Sequence, residues 1–334
     1  MGPVFLTHSP DMLANYYGER AVAALRGMAE VRLNPTGGVL DTAGLIEHAR
    51  GCPIIVSDRQ TAAPAAFFDA APDAVAFLRV AVDIRNIDVA AASRQGVLVT
   101  RATPGFMASV AEMALGYMVD LARGISRSVG EYRSGREAEP RMGRQLKGSS
   151  VGLIGFGAIS ETLAPVLVAL GMEVLVFDPY KRVEVPGIRQ VGMEDLLGAS
   201  DFVICLAVAT EETENLMNTA AFAGMRRGAF FLNLSRGNLV DEAALEASLE
   251  SGHLAGAAMD LGRAPDQKPS LRLASRPDVI ATPHTAGLTP NAIEHQAFDT
   301  VEQVRALLAG HVPAGAVNAE AAGRLAQLKP ARSA

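Results

Sequence analysis

Tryptophan is missing from this chain and cysteine nearly so: only Cys52 and Cys205 occur, each inside an apolar run. Two isolated cysteines make neither a disulfide framework nor a zinc site, and they suit buried thiols in a reducing cytoplasm. The six histidines are scattered without metal-ligand spacing, so no metal is expected. Long apolar runs are lacking too. None could cross a bilayer, and the opening MGPVFLTHSPDM carries no parts of a secretory signal, so no membrane is expected. Positive charge is outnumbered, and a net charge of −6 argues against a general nucleic-acid surface.

Apolar residues, by contrast, are spread along all 334 positions, enough for two cores. From residue 151 onward, VGLIGFG, EVLVFD, DFVICLAV, AFFLNLS, HLAGAAMD and DVIATPH read as six buried strands, most of them separated by helical segments. Near-continuous apolar strands joined by helices predict a parallel sheet covered on both faces, here a doubly wound dinucleotide fold. PVFLTH, AEVRLN, CPIIVSD, VAFLRVAV and GVLVTR repeat the theme in the first hundred residues and predict a second α/β layer structure. The pattern breaks near TRATPG (100–105). SVAEMALGYMVDLARGISRSVGEY then predicts one long helix with Ser109 as its N-cap. Thr289 and Pro290 predict the N-cap and first turn of a helix to about Gly310 that packs back on the first domain. Pro165 is expected to kink the helix at 158–171.

GFGAIS lies between a strand and a helix, the context that gives a glycine-rich loop its meaning. Gly155 permits a tight turn, and Gly157 lets the backbone approach a pyrophosphate. Ala158 and Ile159 open the helix, whose N-terminus offers unpaired N–H groups to an anion. Ser160 stands where a third glycine is usual and is small enough for close packing. Asp178, ending VLVFD, can accept both ribose hydroxyls of NAD while repelling the 2′-phosphate of NADP. A surface aspartate at a strand end is the plainer alternative. In VIATPHTAGLTP (279–290), His284 taken alone reads as a hydrogen-bonded structural residue.

Four further segments change that reading. MRRGAFFLNLSRGNLVDEAALEASLESGHLAGAAMD, VIATPHTAGLT, NIDVAAASRQGVLVT and SVAEMALGYMVDLAR, with GLIGFGAIS, resemble the D-isomer-specific 2-hydroxyacid dehydrogenases over roughly residues 50–318. That family includes phosphoglycerate, glycerate and lactate dehydrogenases. The resemblance implies two doubly wound parallel-sheet domains. A Rossmann nucleotide domain (102–289) is inserted into a flavodoxin-like substrate domain formed by 1–101 plus 290–334. It also implies NAD as cofactor, a small 2-hydroxy or 2-oxo acid as substrate, and a homodimer. Carried over by motif, Arg236 in NLSRG would hold the acid and His284 in TPH would exchange a proton with its oxygen. Asp260 in AAMD matches the residue that binds the nicotinamide carboxamide, and Thr213 and Ser235 fall where the family lines the cofactor cleft.

Two departures stand out. The family pairs its histidine with a glutamate in a DVF…EP segment; here MDLGRAPDQKPS puts Pro265 at that position, leaving Asp266, Gln267 or no partner at all. A G-x-G-x-D-N loop is also usual before ID. In this chain Ala81 and Asp83 replace the two glycines and Arg85 replaces the aspartate, as either a new substrate contact or an exposed charge. Two other readings therefore stay open: an NAD(H)-binding regulatory protein with little turnover, and a formate- or phosphite-type dehydrogenase.

Overall fold

The structure, a computed structural model, describes residues 2–264 and 267–328. The chain forms two compact units, Met1–Gly105 with Thr289–Ala334, and Phe106–Leu288. The first is built on five strands: β1 (Val4–Leu6), β2 (Val31–Leu33), β3 (Ile54–Ser57), β4 (Ala76–Arg79) and β5 (Leu98–Arg101). They lie parallel in the order β2-β1-β3-β4-β5. β1, β3 and β4 are buried along their whole length because helices cover both faces. Alternate strand residues feed two cores: Ile54 and Val56 enter one, Ile55 and Phe77 the other.

The helix Pro290–Leu308 returns the chain to this unit. Thr289 caps it, accepting the Ala292 N–H, and Pro290 sits at its start, where no donor is needed. Ala297, Val301, Val304 and Leu307 form its apolar stripe on the β1–β3–β4 side. Gln303 then stitches it to β5, accepting the Thr100 hydroxyl at 2.7 Å and donating to the Arg101 carbonyl at 2.9 Å.

The second unit holds seven parallel strands: β6 (Ser150–Ile154), β7 (Glu173–Phe177), β8 (Ile188–Gln190), β9 (Phe202–Cys205), β10 (Phe230–Asn233), β11 (Gly256–Met259) and β12 (Val279–Ala281). Their order is β12-β11-β10-β9-β6-β7-β8. The chain leaves β6 toward β7 and returns on the other side with β9, so the strand order reverses beside β6. In open parallel sheets a ligand crevice lies outside the carboxyl ends at such a point. Burial of Phe202 at the start of β9, worth about 1.5–3 kcal/mol, helps anchor one of the strands flanking it.

Two local expectations are corrected. The long helix is two: Met107–Arg123 and Ile125–Arg133, divided where Gly124 takes φ +63°. The first begins at Met107 after Phe106, so Ser109 lies inside it and is not its N-cap. Pro165 lies inside the helix Ala158–Ala169, which continues on both sides of it. β8 is an additional strand; its sequence IRQ is short and mostly exposed, as an edge strand can be.

Candidate active site

The glycine loop follows β6 directly. Gly155 takes φ +91°, and a Cβ there would sit 2.9 Å from the Ala207 backbone just beyond β9. Only glycine allows that turn and that approach together. Gly157 precedes the helix Ala158–Ala169, and a Cβ on it would meet open space. Gly157 and Ala158 are exposed, so this helix end presents N–H groups outward, as a pyrophosphate requires. Ser160 is fully buried and donates to the Gly155 carbonyl at 2.6 Å, holding the loop closed.

Asp178 follows β7. Its carboxylate accepts the N–H groups of Phe156 (2.8 Å), Tyr180 (2.9 Å) and Lys181 (2.9 Å). Partial burial pushes its pKa up, but these three donors and the Lys181 charge outweigh that and hold it below the usual carboxylate value. The nearby cations are engaged: Lys181 pairs with Glu161, and Arg182 with Glu184 at 2.6 Å. Past β9, Thr213 closes a turn, accepting the Thr210 N–H and donating to the Val208 carbonyl, both at 2.8 Å. Ser235 donates to the Ala207 carbonyl at 2.5 Å and so joins the β10 end to the β9 end. These residues share one sheet edge with the glycine loop, a pattern that fits a dinucleotide.

Arg236 stands three residues beyond β10, and His284 three residues beyond β12. One strand, β11, lies between them, so two sheet spacings, about 10 Å, separate the strands that carry them. Arg236 leads into the 3-10 turn Gly237–Leu239 and donates to the Ser235 carbonyl at 2.7 Å. Asn233, fully buried at the end of β10, accepts the Ser235 N–H and donates to the Arg236 carbonyl at 3.0 Å. A lone polar residue ending the apolar run AFFLN is the one sequence signal for this buttress.

His284 takes φ +59°, a region that few side chains tolerate. Asp260, fully buried past β11, holds it there. The Asp260 carbonyl accepts the His284 N–H at 2.9 Å, and its carboxylate accepts the N–H groups of Thr285 (2.8 Å) and Ala286 (2.9 Å). The Thr282 hydroxyl also donates to that carboxylate, and Tyr117, from the helix Met107–Arg123, hydrogen-bonds Thr282 from behind. Burial raises the Tyr117 pKa, which keeps the phenol protonated. Tyr117 and Thr282 were not anticipated from the sequence. Asp266 lies outside the described residues. Gln267 is described at φ +62° and accepts the Gly262 N–H through its carbonyl at 2.9 Å.

In the first unit, Arg85 grips Asp83: Nε reaches both carboxylate oxygens at 3.0 Å, and Nη2 reaches one at 2.6 Å. The charge at Asp83 is thus neutralised within its own turn. A buried polar cluster also occupies the carboxyl ends of β1, β3 and β4, and sequence reasoning missed it. Arg79, fully buried, donates to the carbonyls of Asp58 and Thr61 and to the Asn86 side chain. Neither ring nitrogen of His8 has a hydrogen-bond partner among the described residues. Burial, helped by Arg79 and opposed by Asp58, lowers the His8 pKa to about 4. Among the described residues no cluster could hold a metal, and no helix is long and apolar enough to cross a membrane.

Residues 115–286, just over half the chain, match the family model for the D-isomer specific 2-hydroxyacid dehydrogenase, NAD binding domain. The chain belongs to this dehydrogenase family. It is 36% identical over 246 residues to a D-3-phosphoglycerate dehydrogenase of Synechocystis, covering 72% of this chain and 44% of that protein. It is 31% identical over 281 residues to a hydroxypyruvate reductase of Thermotoga maritima, covering 83% and 92%. Among solved structures, a protein from Thermus thermophilus superposes with a TM-score of 0.83 at 28% identity, over 94% of this chain and 99% of that one. The chain spans about half the length of the D-3-phosphoglycerate dehydrogenases it matches.

Proposed function

We propose that this chain is an NAD-dependent oxidoreductase that interconverts a 2-hydroxy acid and its 2-oxo acid. The observation that carries the reading is positional. Arg236 and His284 leave one sheet edge three residues past β10 and β12, on the edge that also bears the glycine loop. In this reading Gly155, Gly157, Ala158 and Ile159 hold the pyrophosphate, Asp178 the ribose hydroxyls, and Thr213 and Ser235 line the same groove. Asp260 fixes the His284 loop beside the place where the nicotinamide carboxamide would lie. The dinucleotide, when bound, supplies or accepts the hydride. The Arg236 guanidinium grips the acid through two parallel hydrogen bonds and fixes the face of its carbon. His284 gives its proton to the carbonyl oxygen in reduction and takes it back in oxidation, which imidazole can do near neutral pH.

NAD is preferred to NADP because Asp178 carries a negative charge and Lys181 and Arg182 are committed to glutamates. The unit holding Phe106–Leu288 would serve as nucleotide domain and the other as substrate domain. A homodimer is supported by Ile125, Val129 and Tyr132, all exposed on the helix Ile125–Arg133, which buries none of its residues. Two free, buried cysteines suit a cytoplasmic setting.

The test is NADH oxidation against pyruvate, glyoxylate, hydroxypyruvate and 3-phosphohydroxypyruvate, with NAD reduction by formate and phosphite as the counter-screen. His284→Asn is the informative variant, since asparagine accepts a positive φ. Turnover should fall by about 10²–10⁴ with NADH binding retained. Full turnover in the variant would refute the proton role. Tight NADH binding without turnover of any acid by the unaltered protein would favour a regulatory role instead.

A further inference from the structure

The turn that carries Arg236 is short and weakly held from within. A 3-10 turn of three residues satisfies few of its own carbonyls, and those at its C-terminal end need outside donors. Leu239 takes its donor from the Met217 N–H at 2.9 Å, and two more carbonyls come into question, at Asn238 and Val240, two and four residues after Arg236.

Both are taken by one side chain. Arg263, four residues beyond β11, donates from Nε to the Val240 carbonyl and from Nη2 to the Asn238 carbonyl, each at 2.9 Å. Nη2 also reaches the Asn215 side chain, and Nη1 pairs with Glu214 at 2.8 Å. The Arg263 backbone N–H donates to Glu242 at 3.1 Å, at the start of the next helix. Glu214 completes the circuit by accepting from Asn238 at 2.9 Å, and the Asn215 N–H donates to the Asn238 carbonyl at the same distance. A guanidinium suits this place because it fans several donors from one plane and puts a cation at the C-terminal end of the turn.

The backbone makes the clamp possible. A Cβ on Gly237 would lie 2.0 Å from the Gly262 carbonyl oxygen, so the residue after Arg236 and the residue before Arg263 touch main chain to main chain. A Cβ on Gly262 would lie 2.5 Å from Cα of Pro269. A side chain at Gly237 would push the two loops apart and pull Arg263 from its carbonyls, and one at Gly262 would disturb the loop that carries Arg263.

We propose that Arg263 is a positioning residue for Arg236, and thereby for the carboxylate of the acid substrate. Its donors are spent on the protein, so it acts through the turn and does not touch the substrate. This inference rests on the role assigned to Arg236 above, and its test separates the two. Arg263→Ala and Arg263→Lys are compared with the unaltered protein in KM and kcat for the best 2-oxo acid, NADH dissociation constant, melting temperature, and amide hydrogen exchange over residues 236–242. Loosening a group that binds ground state and transition state alike should raise KM about tenfold with kcat changed less than about threefold. NADH affinity should stay within about twofold, and exchange over 236–242 should quicken by about tenfold. Lysine, reaching one carbonyl instead of two, should fall between. If Arg263→Ala does not fold, the lysine variant carries the comparison. Unchanged KM and unchanged exchange over 236–242, with or without a lower melting temperature, would overturn the proposal. If the unaltered protein turns over no acid, the dehydrogenase reading fails, while the exchange measurement still decides whether Arg263 holds the turn.

Discussion

The carboxylate of Asp260 accepts the N–H of Thr285 at 2.8 Å, so the residue next to His284 is fastened to the neighbouring strand end. With Ala286, Thr282 and the His284 N–H also bound to Asp260, the loop after β12 has little freedom of its own. Asp260→Asn should therefore disturb more than charge. One of its acceptor oxygens becomes a donor facing N–H groups, at a cost of about 1–3 kcal/mol for the buried mismatch. The expected result is a melting temperature lower by several degrees and at least about a tenfold loss in single-turnover rate. A variant that melts lower but reacts at the original rate would limit Asp260 to stability.

Tyr117 supports the same loop from outside it, through the Thr282 hydroxyl. Tyr117→Phe removes one buried hydrogen bond and leaves Thr282 its bond to Asp260. It should lower stability by about 1 kcal/mol and change kcat by less than about threefold. Denaturant unfolding and steady-state rates measure both. A much larger rate effect with intact stability would mean that the phenol belongs to the reaction.

Cofactor choice can be moved at two positions. Asp178→Asn removes the charge that opposes a 2′-phosphate, and Glu161→Gln frees Lys181 to meet it. The double variant should shift the ratio of kcat/KM for NADH over NADPH toward NADPH by at least about tenfold. An unchanged ratio would place discrimination elsewhere.

His8 should make stability depend on pH. Its pKa is about 4 in the folded chain against 6.5 for a free imidazole, so between these values the unfolded chain binds more protons. The folded state then loses stability as pH falls from 6.5 toward 4, by an amount on the order of 3 kcal/mol, and keeps it above 6.5. His8→Leu should flatten this part of the profile in urea unfolding. An identical slope in the variant would refute the assignment.

Much of the fold was legible because buried parallel strands are written as apolar runs. β6, β9 and β10 needed little more than their Val, Ile, Leu and Phe content. β8 escaped notice because IRQ is polar and lies at the edge. The break at Gly124 was hidden for another reason: helical spacing continues on both sides, and only the backbone angle reveals the division. At the site, Arg236 and His284 could be picked out by motif. Asp260 was also marked by motif, but its hold on the His284 loop was not, nor was Arg263 at all, because both act across strands whose neighbours are set by the sheet order. That Arg85 grips Asp83 was not legible either, since only geometry shows which charge the arginine meets.

The positive φ at His284 works as a filter on what evolution can put there. Besides glycine, the types at ease in that basin are asparagine, aspartate and histidine. Of these, histidine alone gains and loses a proton near neutrality. The bend that Asp260 enforces thus narrows the chemistry available at this position before any substrate arrives.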